Sequence, residues 1–120
     1  MGNARGEGPC EVWVEINTEV TDTHVKIKVE GGPGHSDGTE HIWSNLEIVV
    51  KARDTSTGSW VTKFSISPIL KVWNGSFPKS GYSVYSVSAK SFDEFEGGHR
   101  GRATAELEEA IPMGATGAAF

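Results

Sequence analysis

The chain is nearly without cysteine. Cys10 stands alone among 120 residues, so no disulfide can close within the chain and its stability must come from packing. Long apolar runs are missing as well. No stretch approaches the length that spans a bilayer, and the opening MGNARGEGPC is polar and glycine-rich where a secretory leader would be apolar. The expectation is a soluble chain, either cytoplasmic or a mature form whose leader has been removed. An excess of positive charge is also absent: the net charge is −5, which does not suit a nucleic-acid partner.

Enzyme signatures are scarce. There is no G-x-S-x-G elbow, and GGPG at Gly31–Gly34 lacks the following helix that a phosphate or dinucleotide loop requires. The carboxylates of FDEFEGG and ELEE read as solvated acidic surface, because a glycosidase also needs a long cleft. These absences lean against an enzyme.

What is present points to strands. The chain has 15 glycines for turns, and β-branched residues lead its apolar set. Val12, Val14 and Ile16 alternate with Trp13 and Glu15, and Val25, Ile27 and Val29 alternate with Lys26 and Lys28. Leu46, Ile48 and Val50 share a face, as do Trp60, Phe64 and Ile66 across the turn DTSTGS. NTEVTDT reads as a polar turn, Asn74–Gly75 as another inside a loop NGSFPKSG, and YSVYSVSA as a further strand. RATAELEEAI fits a last strand through Ala103, Ala105 and Leu107, or a helix through Ala103, Leu107, Ala110 and Ile111; a sandwich favours the strand. The predicted architecture is all-β: a single immunoglobulin-like antiparallel β-sandwich of about seven strands. Residues 1–10 are expected to be a flexible segment, 11–111 the sandwich, and 112–120 a small-residue tail able to dock on a neighbour through Phe120.

Charge is segregated. Between residues 51 and 90, Lys51, Arg53, Lys63, Lys71, Lys79 and Lys90 are opposed by Asp54 alone. Either strands of opposite charge pair within the fold, or the chain associates electrostatically with a protein partner or with itself. Four tryptophans in so small a chain are core or platform. Trp13, Trp43 and Trp73 are the candidate binding residues, because an exposed indole marks an interface or a ligand surface.

The stretch GGPGHSDGTEHIW, residues 31–43, carries the most chemistry. His35 and His41 stand six residues apart with Asp37 and Glu40 nearby. Imidazole suits iron, zinc, copper and nickel, and His24, His99 and Cys10 are the remaining plausible donors. The stretch VKIKVEGGPGHSDGTEHIW resembles the iron-binding domain of desulfoferrodoxins and neelaredoxins, the superoxide reductases. A strand leads to a loop histidine, then to EH and an Ile–Trp pair, and KSGYSVYSVSA is similar to the family's turn into its last strands. The resemblance implies an immunoglobulin-like sandwich with iron held by four histidines and a cysteine thiolate. Here His35 and His41 match, and His24 is offered as a third ligand. The family's Cys-Asn-x-His region reads SVSAKSFDEF, with Ala89 and Phe92 at those places, and Ser36 replaces a proline. Loss of the thiolate that tunes the iron argues against superoxide chemistry. The loop is also similar to that of the carrier subunits of bacterial thiosulfate oxidation, which have no obligatory metal. The expected function is a non-catalytic β-sandwich for assembly or binding. The alternatives are an iron or other metal-binding redox domain and a carbohydrate or small-ligand module.

Overall fold

The computed structural model describes residues 2–8, 12–32, 41–95 and 100–112; of these, 41–44, 68–70, 93–95, 100 and 101 are described by their backbone alone. Eight strands are formed: β1 Gly2–Glu7, β2 Trp13–Val20, β3 His24–Gly32, β4 His41–Asp54, β5 Trp60–Leu70, β6 Val72–Pro78, β7 Tyr82–Phe95 and β8 Arg100–Ala110. They make two antiparallel four-stranded sheets, ordered β1-β2-β3-β6 and β5-β4-β7-β8. The all-β sandwich expected from the alternation is the architecture observed. No helix among the described residues is long and apolar enough to cross a membrane.

The core is the sum of the inward-facing alternations. Val14, Ile16, Val25, Ile27 and Val29 from the first sheet meet Leu46, Ile48, Val50, Ala52, Tyr85, Val87 and Ala89 from the second. Each fully buried Val or Ile is worth about 1.5–3 kcal/mol relative to exposure, so this interleaved layer supplies the driving force for folding. The segment over 102–111 resolves as strand. Ala103 and Ala105 are buried in alternation with exposed Arg102, Thr104 and Glu106, and the ladder to β7 runs unbroken from Val84↔Ala110 to Glu94↔Arg100. That ladder outweighs the helix propensity of alanine and glutamate.

Three local expectations are corrected. First, Gly2–Glu7 is a strand within the supposedly flexible segment 1–10, which brings the total to eight. It pairs with β2 from Gly2↔Thr18 to Glu7↔Trp13, and backbone pairing needs no apolar sequence. Second, Asn74–Gly75 is not a turn but the middle of β6. Gly75 faces inward under the Trp73 indole, which fills the space a Cβ would need. NTEVTDT likewise stays in β2 as far as Val20, leaving only residues 21–23 to turn. Third, Trp60 does not share the face of Phe64 and Ile66. The register passes from Val50↔Phe64 to Lys51↔Thr62, so Lys63 is an extra residue in a bulge. The bulge reverses the phase: Trp60 lies beside outward Arg53 and is 42% exposed.

The edges on one side of the sandwich close on each other. β1 lies against β8, and the inward positions of β1 are Gly2, Ala4 and Gly6, continued by Gly8. A Cβ at Gly6 would run into the carbonyl of Thr104, and one at Gly8 into that of Arg102. Small residues here let two backbones approach as no larger side chain allows. On the other side, β5 and β6 are joined by Phe64 packed edge-on to Trp73 at 5.1 Å and by Lys63, whose Nζ lies 5.8 Å over the Phe77 ring while donating to the Tyr82 hydroxyl of β7 at 2.9 Å.

Gly6→Val and Gly8→Val are expected to cost about 1–3 kcal/mol each by driving β1 off β8. Glu7→Gln on the outward face of the same strand should stay within about 0.5 kcal/mol. Denaturant midpoints measure both.

Candidate functional site

The histidine loop divides from the rest of the expected metal set. His35, Asp37, Glu40, His99 and Cys10 lie outside the described residues, as does Phe120. His41 and Trp43 are placed by backbone at the start of β4, where His41 pairs with Phe95. His24 begins β3, and the strand runs eight residues before the loop begins at Gly32's far side. At about 3.4 Å per residue that separates His24 from Gly32, the last described residue before the loop, by about 27 Å. His24 instead sits at the opposite end of the sandwich, where Thr21 caps its backbone N–H at 3.0 Å and its Nδ1 lies 2.8 Å from the Thr23 hydroxyl. Among the described residues no group of three His, Cys, Asp or Glu side chains could hold a metal ion. His24 is therefore not a partner of His41 in this fold.

The tryptophans divide as well. Trp73 is 9% exposed and belongs to the core, so it offers no platform. Its inward place follows from the register Val29↔Trp73. Trp13 does face outward. Its indole lies over Gly32 on the neighbouring strand, and the Arg5 guanidinium stacks 4.7 Å above it. Trp60, which the alternation had placed on one face with Phe64 and Ile66, is an exposed indole.

One buried polar cluster lies inside the sandwich. The Tyr85 hydroxyl is 2.6 Å from the Thr18 hydroxyl and donates to the Glu109 carboxylate at 3.0 Å, tying β2, β7 and β8 together beside Gly2. Burial, helped by the Glu109 hydrogen bond and charge, pushes the Tyr85 phenol up to about 12. These bonds link three strands at the closed edge of the sandwich.

The feature with the shape of a site is the outer face of the first sheet. Pairing aligns its outward residues in rows across the strands: Asn3, Asn17, Lys28 and Asn74 in one row; Arg5, Glu15, Glu30 and Val72 on one side of it; Glu19, Lys26 and Ser76 on the other. Adjacent rows are two residues apart, about 7 Å. An open groove of about 560 Å³ runs between the Asn17–Lys28–Asn74 and Glu19–Lys26–Ser76 rows, over Thr18, Ile27 and Gly75. A smaller hollow of about 370 Å³ lies at the end of the sandwich, between Asp22, Lys79, Tyr82 and Pro112.

The groove's near end is pre-arranged and its far end unengaged. Asn3 donates to Asn17 Oδ1 at 2.7 Å and to Glu15 at 3.1 Å, while Arg5 spans Glu7 and Glu15. Lys28 reaches Glu30 at 3.5 Å. The side chains of Glu19, Lys26, Asn74 and Ser76 make no hydrogen bond or ion pair with the described residues. Residues 3, 17, 28 and 74 are scattered in the chain, and nothing in their spacing announces a row. The only sequence signal was the polar alternation of each strand taken alone.

No protein-family model, curated protein or solved structure matches this chain.

Two outcomes follow. His24→Ala should leave any transition metal carried by the purified chain unchanged, and elemental analysis beside the His35→Ala, His41→Ala double variant separates the two ends of the sandwich. The Tyr85 phenol is raised above its unfolded value near 10. Its contribution is thus fully present below pH 10 and is lost as pH rises toward 12, because the unfolded chain ionises first. Melting temperature should fall across that window, and Tyr85→Phe should flatten the fall while lowering stability at neutral pH by about 1–3 kcal/mol.

Proposed function

We propose that this chain is a non-catalytic β-sandwich module for binding and assembly, and that it works through a sheet face. The observation that carries this reading is the polar groove across β2, β3 and β6, with Asn74, Ser76, Lys26 and Glu19 left unengaged around it. Its volume lies within the ~300–1,000 Å³ of typical small-ligand sites.

The strand edges support the same reading by being guarded. β1 and β8 close on each other through glycine. β5, the free edge of the second sheet, has register slips at Lys63 and again between Ile66 and Ile69, an inward-turned lysine, and a proline at position 68. Bulges, inward charge and proline are the devices by which edge strands avoid pairing with another chain. The segregated charge is partly consumed within the fold, where Lys90 reaches Glu47 at 3.3 Å. The immunoglobulin-like reading is favoured by the order β2-β3-β6 facing β5-β4-β7-β8, to which β1 is an added edge strand.

A fragment library screened by two-dimensional amide NMR tests the reading. Hits should cluster on Thr18, Ile27 and Gly75 and on the side-chain amides of Asn17 and Asn74. Clustering at Trp60, or on the outward amides of β5, would overturn it.

A further inference from the structure

We infer that the groove on the outer face of the first sheet takes a neutral, polyhydroxylated chain, that is, an oligosaccharide lying across the strands. The inference rests on the binding reading above and names its ligand class.

Charge narrows the class first. The two ammonium groups of the groove, Lys26 and Lys28, are matched by Glu19 opposite Lys26 and by Glu30 at 3.5 Å from Lys28. A polyanion would meet these carboxylates and a polycation the lysines, so neither gains net attraction. The donor set narrows it further. Asn17 and Asn74 flank Lys28 in one row and present planar amides, each with donors and an acceptor. Asn17 has its Oδ1 held by Asn3 at 2.7 Å, which fixes the amide and leaves its NH₂ pointing away from that bond. Glu19 and Ser76 on the opposite wall add a carboxylate and a hydroxyl acceptor. Vicinal hydroxyl groups are both donors and acceptors at fixed spacing, and a mixed wall of amide, carboxylate and ammonium satisfies both roles. An apolar ligand would strand every one of these groups.

Shape agrees. The floor crosses three strands, on the order of 10 Å from β2 to β6, and the walls stand about 7 Å apart. That is a trough for a ribbon of pyranose rings. Its floor is the sheet at Thr18, Ile27 and Gly75, whose side-chain positions turn to the core. None of the lining residues is aromatic. Hydrogen bonding therefore carries the contact, and exchange on and off the face is fast.

The experiment is a titration of the full chain, followed by amide NMR, with neutral gluco-, xylo-, manno- and chito-oligosaccharides, and in parallel with heparin as a polyanion. The expected result is a fast-exchange shift of the Asn17 and Asn74 side-chain amides and of the Thr18, Ile27 and Gly75 backbone by at least one neutral oligosaccharide. The affinity should be insensitive to salt between 50 and 200 mM, roughly the range over which phosphate-type binding falls steeply. Asn74→Ala and Ser76→Ala, both exposed and unpartnered, should each weaken it about three- to tenfold with the rest of the spectrum unchanged. If no neutral oligosaccharide shifts these resonances while heparin does, with loss in salt, the ligand class is overturned and the binding face stands. If neither shifts them and fragments also gather elsewhere, the class and the binding face fall together.

Discussion

One register holds both sides of the first sheet. Ile16 stands opposite Val29, and Val29 opposite Trp73, which puts three apolar side chains into the core in a line. The next row, Asn17, Lys28 and Asn74, is thereby turned outward. Because side chains alternate with a period of two, a slip of one residue would bury the amides and expose the core. The hydrophobic layer thus fixes the polar groove on the opposite face of the same strands. The proposed ligand face inherits its precision from burial on the other side of the same strands.

The sandwich guards its edges by two different means. On one side, Gly6 and Gly8 bring β1 into backbone contact with β8, so each edge shields the other. On the other side the edges are held together by Phe64 on Trp73 and by Lys63, which turns inward from its bulge over the Phe77 ring. Between β5 and β6 the chain crosses the sandwich through Lys71 alone, at φ 62°. This is a left-handed conformation that non-glycine residues seldom adopt and that costs on the order of 1 kcal/mol. The Lys71 carbonyl accepts from the Gly31 N–H at 2.9 Å, which anchors that crossing to β3. Strain at one residue is the cost of passing from one sheet to the other without a loop.

Much of this was legible in advance, and the reasons can be named. The inward sets Val14/Ile16, Val25/Ile27/Val29 and Leu46/Ile48/Val50 are all buried, because strict alternation over several residues leaves few other packings. The failures were of other kinds. Gly2–Glu7 has no apolar signature, because its small residues serve close approach and not burial of bulk. Trp60 was assigned to the face of Phe64 and Ile66 because a bulge is invisible in the alternation it interrupts. Asn74–Gly75 has the letters of a turn, but the Trp73 ring requires the glycine in mid-strand. For the candidate site the position was weaker still. The histidines drew attention because metal chemistry is written in residue type, and yet His24 stands a whole strand away from their loop. Of the candidate tryptophans, Trp73 lies in the core, while Trp13 faces outward beneath the Arg5 guanidinium.

The sequence by itself determined the class of fold and the contents of the core, since both follow from local periodicity and from the free energy of removing apolar side chains from water. It also determined that no disulfide closes within the chain. Only the tertiary structure decided which strands are neighbours, where the bulge reverses a face, and which polar residues stand in line. Asn3, Asn17, Lys28 and Asn74 meet because four strands pair in one register, and pairing between distant strands is a long-range choice that no local stretch encodes.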